Sequence, residues 1–336
     1  MEQIGKGKIN NKNLGKPILQ SKNLHVHFNT SKGIARVLNG FDLDIYKGEM
    51  SALVGESGSG KTVAAWSMLG LPLRPGKIIE GEVFWYEENI LKMTPEQLNE
   101  LRGKEIGLIL SSPKIYLHPL VRVGKQIQEV YMAHHDISKS KAYEIVLDII
   151  SNMGLSDSPR IFNSYSFELS GGMAQRIMIA MALVNSPELV IADDSTNGLD
   201  VTIQRQILDL MSDLIKQRNS SALMITHDLG IVAQYCKNVA IMYAGQTIEK
   251  ASVNEIFSNP LHPYSQSLIG SIRSTRLGTK GKPIPGIAPD PKNLPSGCLF
   301  EPRCSIKMPE CKKDQSPMIE VEKGHFVRCL RYSEKD

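Results

Sequence analysis

Three observations in the sequence predict an α/β fold organised on a largely parallel sheet. First, Gly55-Glu56-Ser57-Gly58-Ser59-Gly60-Lys61-Thr62 has the spacing of a phosphate-binding loop. It lies between an apolar run, Met50–Val54, and a helix-like stretch, Val63–Leu69. Second, Leu189–Asp193, Ala222–Thr226 and Val239–Tyr243 are short apolar runs fit for strands buried on both faces. Third, an amphipathic helix over 201–217 separates the first two runs, with Ile203, Ile207, Leu208, Met211, Leu214 and Ile215 apolar. Strands alternating with helices make a parallel sheet covered on both faces.

The loop carries the chemistry. Its glycines let backbone N–H groups turn inward around phosphate oxygens, Lys61 adds a point charge, and the Thr62 hydroxyl can ligate Mg²⁺. The helix starting near Val63 aims its positive end at the same anion. Gly55, Ser57, Gly58, Ser59, Gly60, Lys61, Thr62 and Val63 are therefore the candidate nucleotide contacts. A Gly-rich turn without a ligand is the plain alternative; the strand before and the helix after argue against it.

In chain order, residues 18–28 read as a strand ending at Phe28, and 36–47 as a second, with Val37, Phe41, Leu43 and Ile45 apolar. Ile79–Tyr86 is another strand. Thr94-Pro95-Glu96-Gln97 is a helix start with a capping box. Glu105–Leu110 returns as a strand. Residues 113–186 read as mostly helical, with helices in Val123–His134, Lys141–Met153 and Gln175–Val184. Beyond Pro260 the composition shifts, and 280–302, loaded with Pro and Gly, reads as an extended appendix rather than a core.

Composition sets limits. The 336 residues are 41% hydrophobic and 22% charged, as in a globular protein, and the net charge of +4 is too mild to argue for nucleic acid. Residues 1–17 read as a flexible basic tail. No apolar run approaches the roughly 18 residues of a membrane-spanning helix, so a cytosolic chain is expected and any membrane role needs a partner.

Two further elements extend the loop's message. Asp193 ends an apolar strand and is placed to hold Mg²⁺ beside the loop. Leu169-Ser170-Gly171-Gly172 precedes a helix and is a second anion site. Together they resemble the ABC-type ATPases, a P-loop NTPase fold. The resemblance implies subunits paired head to tail, each ATP held between one subunit's phosphate loop and Ser170, Gly171 and Gly172 of the other. It implies an antiparallel β subdomain and a helical subdomain beside the parallel core, within an ATPase domain over 18–275. By the same resemblance His227 matches the switch histidine at the γ-phosphate, Asp200 the loop aspartate that communicates across the dimer, and Phe28 the aromatic that stacks on adenine. Plain core packing is the alternative for Phe28.

His118-Pro119-Leu120 with Val123–Ile127, and Ile284-Pro285-Gly286 with Pro295–Cys298 and Pro302-Arg303-Cys304, resemble the oligopeptide/dipeptide branch, which also takes up nickel and metal chelates. The match, with a C-terminal region over 276–336, implies an ATP-binding subunit that drives a peptide importer. It would sit on the cytoplasmic face of the membrane against two permeases, beside a homologous second ATPase and, indirectly, an extracytoplasmic solute-binding protein. A non-hydrolysing, regulatory ATP binder and a nickel or chelate importer are the alternatives. Two positions depart from the family pattern. Asp194 stands where a water-polarising Glu is expected, and Ser111 where a Gln senses Mg²⁺ and the γ-phosphate. Asp is one methylene shorter, roughly 1.5 Å of reach. The chain's own site is thus expected to be a degenerate, weak hydrolase, while its Ser-Gly-Gly completes the partner's site.

Cys298, Cys304, Cys311 and Cys329, spaced C-x5-C-x6-C-x17-C, fall in the Pro- and Gly-rich tail. A segment with little core needs a staple. A reducing cytosol argues against disulfides. Zinc, a [4Fe–4S] cluster and free thiols remain. Zinc sites usually use closer pairs, and importers of the family this chain resembles can carry a cluster here, so a structural [4Fe–4S] cluster is the expectation.

Overall fold

The computed structural model describes residues 15–276 and 284–333. The basic tail expected over 1–17 lies outside them except for its last three residues, and so does the start of the C-terminal region.

Among the described residues, twelve strands form two sheets. The first contains β1 (Pro17–Thr30), β2 (Gly33–Tyr46), β4 (Gly76–Trp85) and β5 (Glu88–Asn89), in the order β2-β1-β4-β5 and antiparallel throughout. The second is built on β3 (Met50–Val54), β6 (Ile106–Ile109), β7 (Leu189–Asp193), β8 (Ser221–Thr226) and β9 (Asn238–Tyr243), all parallel. β10 (Gln246–Ser252), β11 (Ile319–Glu322) and β12 (His325–Val327) extend it antiparallel, giving the order β11-β12-β10-β9-β3-β8-β7-β6.

Local signals explain the element ends. Thr94 and Gln97 form the expected reciprocal capping box on Pro95–Leu101. Asp200 caps Val201–Gln217, whose bounds match the expected 201–217. The helix expected from Gln175 starts four residues earlier, at Gly171, because the Ser170 hydroxyl accepts from Met173 N–H and caps it there. β10 and the helix Pro263–Arg276 are additional to the elements expected from the sequence.

Among the described residues, the three largest apolar clusters hold the parts together. One joins the antiparallel sheet to the phosphate-loop helix Lys61–Met68 through Phe41, Leu53, Ala65 and Met68. One lies in the helical region, where Ile127, Val146, Ile150 and Ile177 meet Val190 and Ile207. The third covers the other face of β3 and β9, with Val54, Ile241, Tyr243, Tyr264, Leu299 and Phe300.

That third cluster corrects the reading of 280–302 as an appendix outside the core. Leu299 and Phe300 are buried, and β12 pairs with β10 to enlarge the main sheet. Pro and Gly mark irregular backbone, not exposure, and a few apolar side chains suffice to dock it. Gly297 shows how closely the tail folds on itself: a Cβ there would sit 2.3 Å from the carbonyl oxygen of Cys311.

Candidate functional site

β3 delivers the phosphate-binding loop from a fully buried strand. Gly58 and Gly60 have φ of 80° and 104°, the left-handed region open to glycine, and this turns the loop back toward the helix starting at Lys61. At Gly55 a Cβ would lie 2.3 Å from the Met242 carbonyl oxygen, so only glycine lets the loop pass β9. The Lys61 ammonium folds into the loop, donating to the carbonyls of Gly55 (2.8 Å) and Glu56 (3.0 Å). Burial lowers its pKa, opposed by the charges of Asp194, Asp193 and Glu56.

One pocket gathers Ser57, Gly58, Gly60, Lys61, Thr62 and Val63 with Asp194 and His227. Gly55 and Ser59 lie beneath it, buried. Val37 of β2 and Asn197 also line it; neither has a sequence signal, since a Val in an alternating strand and an Asn in a loop look ordinary. Asp193 ends β7 buried, hydrogen-bonded by Thr62, with Oδ1 lacking any protein partner. Desolvation raises its pKa. A buried carboxylate oxygen without a partner beside a hydroxyl is a fit for one divalent cation, so Thr62 and Asp193 would hold Mg²⁺.

Asp194 adopts φ of 44° and points Oδ1 at His227 Nδ1, 3.4 Å away. Both line the pocket. Ser111, two residues past β6, does not line it. Phe28 does not line it either; its half-buried ring packs against the antiparallel-sheet core, where a Cβ at Gly76 would come within 2.7 Å of it. Ser170, Gly171 and Gly172 lie away from the pocket. Leu199 neighbours Gly171 and Ile203 neighbours Gly172. Asp200, exposed next to them, spends its carboxylate on the N–H groups of Thr202 and Ile203.

Residues 38–197 match the family model described as "ABC transporter", and 248–311 match "Oligopeptide/dipeptide transporter, C-terminal region". The oligopeptide transport ATP-binding protein AppD of Bacillus subtilis is 40% identical over 320 residues, covering 95% of this chain and 98% of that protein. This chain belongs to the ABC transporter ATP-binding family, in its oligopeptide/dipeptide branch. A second relative, the dipeptide transport ATP-binding protein DppD of Lactococcus lactis, is 40% identical over 313 residues, 93% of this chain and 90% of its own length. Among solved structures, the dimeric bacterial ABC transporter cassette MJ0796 shares the fold at 24% identity, with a TM-score of 0.63 over 70% of this chain and 98% of that one. ATP and Mg²⁺ are the ligands expected of an ABC ATPase. Among the described residues no helix is long and apolar enough to cross a membrane.

The four tail cysteines are free thiols on one pocket shared with Tyr243 and Phe300. Burial pushes the Cys298 thiol up to about 11 and raises Cys304 and Cys329 as well. Among the described residues, no three His, Cys, Asp or Glu side chains come together so as to hold a metal ion. The expected [4Fe–4S] ligand set is thus not assembled here, and neither is a zinc site. Spacing in sequence brought the cysteines to one cavity without converging their sulfurs.

Proposed function

We propose that this chain energises import of di- and oligopeptides across the cytoplasmic membrane, as one of two homologous ATPases bound to a pair of permeases. The observation that carries this reading is the separation of the two phosphate-binding faces. The loop, Asp194 and His227 share a pocket, with Asp193 buried against Thr62 of that loop, whereas Ser170, Gly171 and Gly172 are presented elsewhere. A face with intact Ser-Gly-Gly and no phosphate loop of its own is suited to another subunit's ATP. The names of the relatives support peptides as cargo.

In the chain's own site the loop N–H groups and Lys61 hold the β- and γ-phosphates, and Thr62 with Asp193 would hold Mg²⁺, which would supply positive charge for the phosphoryl transfer. Asp194 accepts a hydrogen bond from the attacking water, and His227 orients on the same carboxylate and the γ-phosphate. Because the Asp194 carboxylate is short and leans to His227, and Ser111 is off the pocket, water is held loosely and turnover at this site is slow. The partner's site, completed by Ser170, Gly171 and Gly172, carries most of the flux. In the reconstituted transporter, Gly171→Asp abolishes most ATPase activity and peptide uptake, and Asp194→Asn changes them little. The reverse pattern makes the assignment backwards.

A further inference from the structure

The tail reaches the phosphate loop. Arg303, between Phe300 and Cys304 in sequence, is buried to 5% side-chain exposure and forks onto Glu56, the loop's second residue. Nη1 donates to Oε2 at 2.9 Å and Nη2 to Oε1 at 3.0 Å. The guanidinium is itself fixed: Nε donates to the Pro285 carbonyl at 2.7 Å, Nη1 reaches the Tyr243 hydroxyl at 3.3 Å, and the rings of Tyr243 and Phe300 lie 5.7 and 5.9 Å from it. Glu56 in turn shapes the loop. Its carbonyl accepts from Ser59 N–H (3.1 Å) and from Lys61 Nζ (3.0 Å), and its own N–H donates to the Tyr264 hydroxyl at 3.0 Å. The side chain that Arg303 holds therefore belongs to the residue whose backbone sets the loop's first turn and the resting position of its lysine.

We propose that Arg303 is a positioning residue of the nucleotide site: it fixes Glu56, and through it the phosphate loop, so that the C-terminal region sets the chain's affinity for ATP. A planar fork on a carboxylate specifies orientation as well as distance, which a single point charge does not. Phe300 and Tyr243 line the cysteine pocket and also flank Arg303, so the packing of that pocket and the seating of the loop are one arrangement. The proposal rests on ATP binding by this chain and not on its cargo or on a cluster.

The test measures binding of a non-hydrolysable MgATP analogue to the full chain, alongside its thermal midpoint without nucleotide. Arg303→Met keeps the stem's packing and removes the fork; Glu56→Gln keeps the side chain's length and removes its charge. Each variant weakens the analogue by about tenfold or more, and the double variant is no weaker than the worse single, because both lose one interaction. Arg303→Lys, able to meet only one oxygen, falls between Met and wild type. A lowered thermal midpoint with unchanged affinity makes the pair a docking contact only and overturns the proposal. If Arg303→Met does not fold, Glu56→Gln decides, since Glu56 is partly exposed. Failure of the unmodified chain to bind the analogue overturns the ATP reading as well, whereas binding by wild type and variants alike overturns only the role of Arg303.

Discussion

Restoring the longer carboxylate should speed the chain's own hydrolysis. Asp194 lines the phosphate pocket, and its Oδ1 is 3.4 Å from His227 Nδ1. Glutamate extends the reach by roughly 1.5 Å. A misplacement of about 1 Å in a reacting group costs on the order of 100-fold, or ~2.7 kcal/mol of barrier. Asp194→Glu is therefore expected to raise kcat by about 10- to 100-fold. Adding Ser111→Gln raises it further, because the longer side chain brings an amide toward a pocket that Ser111 does not line. The cost is local: Asp194 sits at φ of 44°, where Asp is tolerated better than Glu, so stability falls by ~1 kcal/mol or less. The assay is phosphate release by the purified chain at saturating MgATP over a range of protein concentrations, since a composite site needs two copies. Nucleotide affinity is measured in parallel. Brisk turnover by the unmodified chain refutes the reasoning, and so does a double variant that binds nucleotide normally and gains no rate.

Asp193→Asn should separate stability from function. Burial raises the Asp193 pKa, so its ionised form costs stability as pH rises through that value, and at neutral pH the nucleotide-free chain carries the cost. The variant is expected to gain about 1 kcal/mol in denaturant unfolding while losing the Mg²⁺ dependence of ATP binding; a loss of stability contradicts it. His262 should make the fold acid-sensitive. It is fully buried, its pKa is lowered to about 4 by burial despite Glu249, and its Nδ1 accepts from Tyr264 N–H at 3.0 Å. The unfolded chain binds the extra proton below the ordinary value near 6.5, so stability present above that pH is lost as pH falls toward 4, by ~2 kcal/mol between pH 7 and pH 5. His262→Asn, which keeps a short acceptor for Tyr264, flattens that part of the stability–pH curve; an unchanged slope assigns the sensitivity to other groups.

What the sequence determined by itself is whatever depends on near neighbours along the chain. The glycine spacing of 55–62, the apolar runs that became β3, β7, β8 and β9, and the cap at Thr94 were all legible. Each sets backbone torsions or satisfies N–H groups within a few residues, so its outcome hardly depends on the rest of the chain. Tertiary structure alone decided which distant residues meet. It placed Val37 and Asn197 on the phosphate pocket, left Ser111 and Phe28 off it, and turned Ser170–Gly172 to a different face. It also drew a Pro- and Gly-rich tail into the core through Leu299, Phe300 and β12, and set Arg303 against Glu56 across 247 residues of chain. Such contacts follow from how separate elements pack and how intervening loops close, and no spacing within either segment encodes them.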